Sequence, residues 1–287
     1  MFNKILVPLD GSELAERSLV LADGLVRDKD AEIILLRVPV LPGYQAMAEG
    51  QPPGEDYREA EAYLKQIQMR TVHPKLTVKT RVIHGDEASV IVDTAVSEKV
   101  DLLVMSTHGR SGFGRWMLGS VAERVLRSAP CCMLVARSAQ PIRKMLITLD
   151  GSPLSEQVLA PGLEVARRWG TAVTLLRVRV GPARRDSQKA RLKQTGRLNP
   201  DLDSRLSMDA REYLDRLVAA RGLAGQVETV VLQGPVAPTI IEYAESENFD
   251  LIGMATHGFS AQTRWPYGQI TEKVMRGVDA SLLIVRS

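Results

Sequence analysis

A chain of 287 residues with 45% hydrophobic and 25% charged residues has the make-up of a soluble globular protein, with room for two ordinary domains. Its formal net charge of +3 excludes a strong polyanion binder, and no apolar run approaches the ~18–20 residues that span a bilayer. Cys131 and Cys132 are adjacent in "CCMLVA", which reads as a buried strand, so structural thiols in a reducing compartment are expected, with redox sensing the lesser alternative.

The opening "MFNKILVPLD" has too short an apolar run for a signal peptide and reads as a first strand, so a cytoplasmic protein is expected. "DGS" breaks that strand, and "ELAERSLVLADGLVRD" follows with helical spacing at Leu14, Ser18, Leu21 and Leu25. "AEIILLRV" is a second buried strand, and "PVLPGYQAMAEGQPPGE" a Pro/Gly-rich loop. "YREAEAYLKQIQMR" is helical, "LTVKTRVIHG" a third strand, "EASVIVDTAVSEK" a helix and "VDLLVMST" a fourth strand. "SVAERVLRSA" places Val121, Ala122, Val125 and Leu126 on one helical stripe and stops before Pro130, after which "CCMLVAR" is a fifth strand. Alternation of nearly unbroken apolar strands with helices argues for an α/β fold, a parallel sheet with helices on both faces.

The chain then repeats itself. "NKILVPLDGSELAERSL" (3–19) aligns with "RKMLITLDGSPLSEQVL" (143–159), and "DLLVMSTHG" (101–109) with "DLIGMATHG" (250–258). Asp10 matches Asp150, 140 residues on, and Gly109 matches Gly258, 149 residues on, so the second copy carries nine more residues before its second motif. Two tandem domains, 1–139 and 142–287, are expected around the short linker "RSAQPI".

Both "PLDGS" and "STHGRSGFGRWMLGS" lie at carboxyl ends of strands, where open parallel sheets bind ligands. Gly109 follows the fourth strand, and Gly119-Ser120 opens the next helix. Backbone N–H groups at a helix start, with the dipole behind them, attract anions, and glycine lets a phosphate approach. Asp10 has the chemistry to hold a ribose hydroxyl or a metal ion. A plain glycine-containing connection capped by Ser120 explains the same residues, and the two readings stay open at this level. The loop is neither a P-loop, since no Gly-Lys-Ser/Thr occurs, nor a dinucleotide fingerprint, since Gly112, Gly114 and Gly119 have the wrong spacing after the wrong strand.

These stretches resemble the universal stress protein family. "KILVPLDGSELAERSL", the turns at Gly85/Ala88 and Gly234/Ala237, "DLLVMSTHGRSG" and "LGSVAERVLRSAPCCMLV" carry the likeness, which covers almost the whole chain, twice. The resemblance implies two five-stranded, Rossmann-like domains of the adenine nucleotide alpha hydrolase-like kind. It also implies an ATP site, with or without Mg2+, on the motif G-x2-G-x9-G-(S/T). Ser106 stands where that motif has its first glycine, while Gly109, Gly119 and Ser120 match. By the same resemblance Pro8, Leu9 and Asp10 come from the first strand, Val38 packs on adenine, and Met105 and Ser106 line base and ribose. Gly109, Gly119, Ser120 and Val121 hold the phosphates. In the second copy Asp150, Val178, Met254, Gly258 and Gly268 match, but Thr148 replaces the proline, Ala255 replaces Ser106 and Gln269 replaces Ser120, so a weakened or lost site is expected there.

His108 and His257, beside the loops, are as readily backbone-bonding as catalytic, and no nucleophile elbow or zinc spacing occurs. The basic stretch 181–197 reads as a solvated insert, with a partner-facing arm as the alternative. It lacks interleaved aromatics, so no nucleic-acid partner is expected, nor any membrane. Trp116 and Trp265 read as packing anchors. In the family the fifth strand pairs two domains as a dimer, so the resemblance implies a pseudo-dimer within this chain and leaves homo-oligomers open. The expected function is adenine nucleotide binding in a stress-response role without fast catalysis. The alternatives are a slow ATPase or autophosphorylating enzyme, and a nucleotide-free dimerisation scaffold.

Overall fold

The computed structural model describes residues 2–26, 31–39, 55–71, 76–106, 119–180, 193–194, 208–256 and 268–286. They fall into two compact units that divide between Pro141 and Ile142 in the sequence. Among the described residues no helix is long and apolar enough to cross a membrane.

The first unit runs β1 (Lys4–Pro8), α1 (Glu13–Val26), β2 (Ala31–Arg37), α2 (Glu55–Arg70), β3 (Leu76–Val82), α3 (Glu87–Ser97), β4 (Leu102–Ser106), α4 (Ser120–Ser128) and β5 (Cys132–Ala136). Its strands are all parallel, in the order β3-β2-β1-β4-β5. The central strands carry the core: Ile5, Leu6, Val7, Ile33, Ile34, Leu35, Leu102, Leu103 and Val104 are all fully buried. Each such aliphatic side chain stabilises the fold by about 1.5–3 kcal/mol relative to exposure. The outer strand β3 differs from the expected unbroken apolar run. Its Lys79 and Arg81 alternate with Val78, Thr80 and Val82 and pair with Glu32 (2.6 Å) and Glu98 (3.0 Å). On α4 the buried stripe is Ala122, Val125 and Leu126, and Val121 stays half-exposed.

One carboxylate registers the centre of this sheet. Asp101, just before β4, accepts from the backbone N–H groups of Asn3 (2.9 Å) and Lys4 (3.0 Å), clipping the start of β1 to the start of β4. Asp250 does the same for Arg143 and Lys144, at 2.8 and 2.9 Å.

The second unit runs β6 (Lys144–Thr148), α5 (Pro153–Glu156), α6 (Leu159–Trp169), β7 (Ala172–Arg179), α7 (Ala210–Arg221), β8 (Val227–Gln233), α8 (Val236–Ser246), β9 (Leu251–Ala255), α9 (Gln269–Gly277) and β10 (Ser281–Val285). Its parallel sheet has the order β10-β9-β6-β7-β8, the same topology as the first. Where the first unit has one helix α1, this one has two short ones. Pro161 has no N–H to bond Gln157 and its ring crowds that carbonyl, so the helix breaks and restarts around Val158.

The two cores are filled differently. Gly253 on β9 and Gly162 on α6 stand where the first unit has Val104 and Ala22. The space is taken by Met145 and Ile147 of β6: a Cβ on Gly253 would lie 2.9 Å from Met145 Cε, and one on Gly162 would lie 2.8 Å from Ile147 Cδ1.

Candidate functional site

The centre of each sheet opens at one end. β1 pairs with β2 along its whole length, from Lys4–Glu32 to Pro8–Leu36. With β4 it registers Ile5 against Leu102 and Leu6 against Leu103 and stops there. Beyond Leu6 the strands part, and the chain departs from β1 toward β2 on one side and from β4 toward β5 on the other. Such a switch point leaves a crevice at the carboxyl edge of an open parallel sheet.

Most of the expected residues collect along this edge. Pro8 ends β1, followed by buried Leu9 and half-buried Asp10. Buried Met105 and half-buried Ser106 end β4, and half-buried Val38 lies just past β2. Gly119 is the N-cap of α4, Ser120 is exposed at the first helical position, and Val121 follows. Crossover helices run antiparallel to the strands, so this N-terminus returns to the carboxyl edge. Asp86, the N-cap of α3, ties it there: its carboxylate takes two bonds from Arg124 of α4, at 2.8 and 2.5 Å. Those bonds from Arg124, with that of Ser89, hold the Asp86 carboxyl well below the usual carboxylate range. The α4 N-terminus carries no side-chain cap hydrogen bond among the described residues. Its first-turn donors and dipole therefore favour an anion. Gly109, His108 and Trp116 lie outside the described residues.

Asp10 is aimed by its own turn. Its Oδ1 accepts from the Ser12 N–H (2.9 Å) and the Ser12 hydroxyl (2.6 Å), and Ser12 Oγ caps Ala15 N–H at 3.1 Å. Gly11 between them has φ +82°, a conformation L side chains rarely adopt, which is why "DG" stands here.

In the second unit the same edge is more closed. Asp150 keeps the turn, accepting from Ser152 N–H at 2.9 Å, with Gly151 at φ +87°. Thr148, in the place of Pro8, donates from Oγ1 toward Gly253 O on β9 (3.5 Å), across the crevice. Thr271, in the place of Ala122, donates to Ala255 O at 3.2 Å and pins the first turn of α9 to the end of β9. Gly268 is buried at φ +75°, and a Cβ there would stand 2.9 Å from Thr256 O, whereas Gly119 sits at φ −60° and is half-exposed. Val178 is half-buried near the end of β7 and Met254 is buried in β9, as placed by the repeat. Gly258, His257, Trp265 and nearly all of the basic stretch 181–197 lie outside the described residues.

The family model described as "Universal stress protein family" matches residues 1–137 and again 141–286. The chain belongs to the universal stress protein family. Similar relatives include a universal stress protein from Methanocaldococcus jannaschii, 33% identical over 144 residues, covering 48% of this chain and 83% of that one. Another, from Mycobacterium bovis, is 25% identical over 226 residues, covering 74% of this chain and 70% of the relative. A solved universal stress protein from Archaeoglobus fulgidus shares the fold, with a TM-score of 0.73 at 18% identity, covering 100% of this chain and 99% of that one.

This universal stress protein also carries a constellation that no motif pointed to. Beneath the β1–α1 turn, Arg37 Nη1 donates to Leu9 O (3.2 Å) and its guanidinium lies 5.8 Å over the Tyr63 ring. The Tyr63 hydroxyl in turn donates to Glu16 Oε1 at 3.1 Å. The second unit repeats it: Arg177 lies 4.3 Å over Tyr213, whose hydroxyl donates to Glu156 Oε1 at 3.1 Å. Burial, reinforced by Glu16 and Glu156, pushes both tyrosine hydroxyls well above their ordinary range. The signal was present in the repeat, since "LLR" precedes both Val38 and Val178 and a Tyr-Leu pair recurs in α2 and α7. The cysteines read as structural: Cys131 and Cys132 are free thiols, and burial pushes Cys131 up to about 12.

Proposed function

We propose that the first domain of this universal stress protein binds an adenine nucleotide, ATP, in the crevice between the carboxyl ends of β1 and β4, and acts through occupancy rather than fast catalysis. The observation that carries the reading is the early end of the β1–β4 ladder at Leu6–Leu103, with the α4 N-terminus, uncapped by any described side chain, brought back to the same edge. Asp10 would take the ribose, Val38 and Met105 the base, and Gly119, Ser120 and Val121 the phosphates. The small residues and oriented N–H groups there suit phosphate oxygens. Among the described residues no group of three or more His, Cys, Asp or Glu is placed to hold a metal ion. Magnesium accompanying ATP is commonly held chiefly by phosphate oxygens.

In the second domain the crossing bond from Thr148, the pinned α9 turn and the buried Gly268 favour a site that has lost its nucleotide. The test is to denature freshly purified protein and identify the released nucleotide by chromatography and mass, with stoichiometry. About one ATP per chain supports the reading. About two would overturn the loss in the second domain, and ADP alone would favour turnover. No nucleotide, with none taken up on adding ATP and magnesium, would replace the reading with a nucleotide-free scaffold.

A further inference from the structure

The Asp10 turn is held from both sides by one guanidinium. Arg37 bonds the carbonyl of Leu9, the residue before Asp10, at 3.2 Å. It also packs against Gly11, the residue after: a Cβ added there would lie 3.3 Å from Arg37 Nη2 and 3.4 Å from Nη1. Tyr63 supplies the ring face on which the guanidinium rests, and Glu16 fixes the Tyr63 hydroxyl. Asp10 and Arg37 both act electrostatically on that hydroxyl, so the four groups share one neighbourhood. A planar fork that is stacked and hydrogen-bonded loses little freedom for each bond it makes, and lysine cannot reproduce it.

We infer that Arg37 is the positioning residue that holds the Asp10 carboxylate where it reads the ribose of the bound nucleotide. This rests on the nucleotide reading of the first domain and deepens it. Arg37 bonds the backbone just before Asp10 and lies beside Gly11 just after it, and it bears on the ligand through the turn it holds. The same stack stands in the second domain, read above as having lost its nucleotide, with Arg177 under Gly151 (a Cβ there would be 2.8 Å from Nη2). It therefore serves as an internal control.

The experiment measures equilibrium binding of ATP and of 2′-deoxy-ATP to the full chain and to Arg37→Met, Tyr63→Leu and Arg177→Met, each with its melting temperature. Because a site that bonds a substrate hydroxyl rejects the analogue lacking it, wild-type protein should prefer ATP by at least about tenfold. Arg37→Met should bring the two affinities together, mainly by weakening ATP, and Tyr63→Leu should move the ratio the same way. Arg177→Met should leave the ratio unchanged even where it lowers the melting temperature. A general loss of folding would weaken both ligands alike, so the ratio separates positioning from structure. An Arg37→Met protein with the wild-type ratio, or a wild-type protein that does not distinguish the two nucleotides, overturns the inference. Should Arg37→Met fail to fold, Tyr63→Leu decides by the same criterion. Wild-type protein that binds neither nucleotide is the failure of the nucleotide reading itself, and is visible before any variant is made.

Discussion

Replacing Gly253 with valine puts into the second domain the residue that the first domain carries at the same point of its fourth strand, Val104. The site has no room for it. The Cβ alone would lie 2.9 Å from Met145 Cε and 3.1 Å from Val158 Cγ2, and Met145 and Val158 are both fully buried. The Met145 methyl is the end of a flexible chain, but in a sealed core it has nowhere to retreat. Overpacking of this kind costs about 1–3 kcal/mol. Removing a strand glycine returns about 0.5–1 kcal/mol of unfolded-chain entropy. The net expectation is a loss of about 1–2 kcal/mol, or a urea midpoint lowered by roughly 0.5–1 M for a domain of this size. Met145→Ile, which restores the first domain's Ile5, removes the offending methyl. The double variant Gly253→Val/Met145→Ile should therefore be more stable than the sum of its parts by at least about 0.5 kcal/mol. Urea unfolding followed by circular dichroism gives the magnitudes, and hydrogen exchange of the β6 and β9 amides locates the loss in the second domain. Strict additivity of the two substitutions would refute the account of one filling compensating for another.

Three further outcomes are expected. Gly119→Val should abolish nucleotide binding while moving the melting temperature little. The φ −60°, ψ 148° of Gly119 suit any L residue, so the added side chain obstructs the helix N-terminus without straining it; equilibrium dialysis showing unchanged affinity would contradict the loop assignment. Tyr63 and Tyr213 have hydroxyls raised above the ordinary 10.0 by burial first and then by Glu16 and Glu156. Their contribution is complete below pH 10 and lost as pH rises above it, so Tyr63→Phe and Tyr213→Phe should flatten the alkaline fall in stability measured by urea midpoints. Cys131, raised by burial from the ordinary 9.0 to about 12, should react with iodoacetamide far more slowly in native than in urea-unfolded protein at pH 8.5. Its contribution to stability is whole below pH 9 and fades toward pH 12, and equal labelling rates in the two states would remove the basis for calling it structural.

The fold was readable because its strongest signals are local. Apolar runs such as "KILVP" and "IILL" and the "DG" turns mark strands and their ends within a few residues. Of the expected site residues, the contiguous pair Gly119-Ser120 could be placed at a helix start from the sequence, and the structure has it as the N-cap and first residue of α4. The Arg37–Tyr63–Glu16 stack was missed because its members sit on three elements, with Tyr63 and Glu16 47 residues apart, and periodicity says nothing about which faces meet. The broken first helix of the second domain was not anticipated, although its cause, Pro161, is local and steric. Nor was the crossing bond of Thr148, since a threonine at a strand end looks the same with or without a carbonyl opposite.

The carboxylate clip at Asp101 sets an order of events during synthesis. The N–H groups of Asn3 and Lys4 are synthesised well before their acceptor, which lies 98 and 97 residues downstream. At about 5–20 residues per second that is a wait of roughly 5–20 s. During it β1 is the exposed edge of an incomplete sheet, with β2 and β3 on one flank only. The first domain cannot close at its centre until its fourth strand is made, and the second repeats the delay between Arg143 and Asp250. A nascent chain halted between these points would present a naked apolar strand to chaperones, twice in one polypeptide.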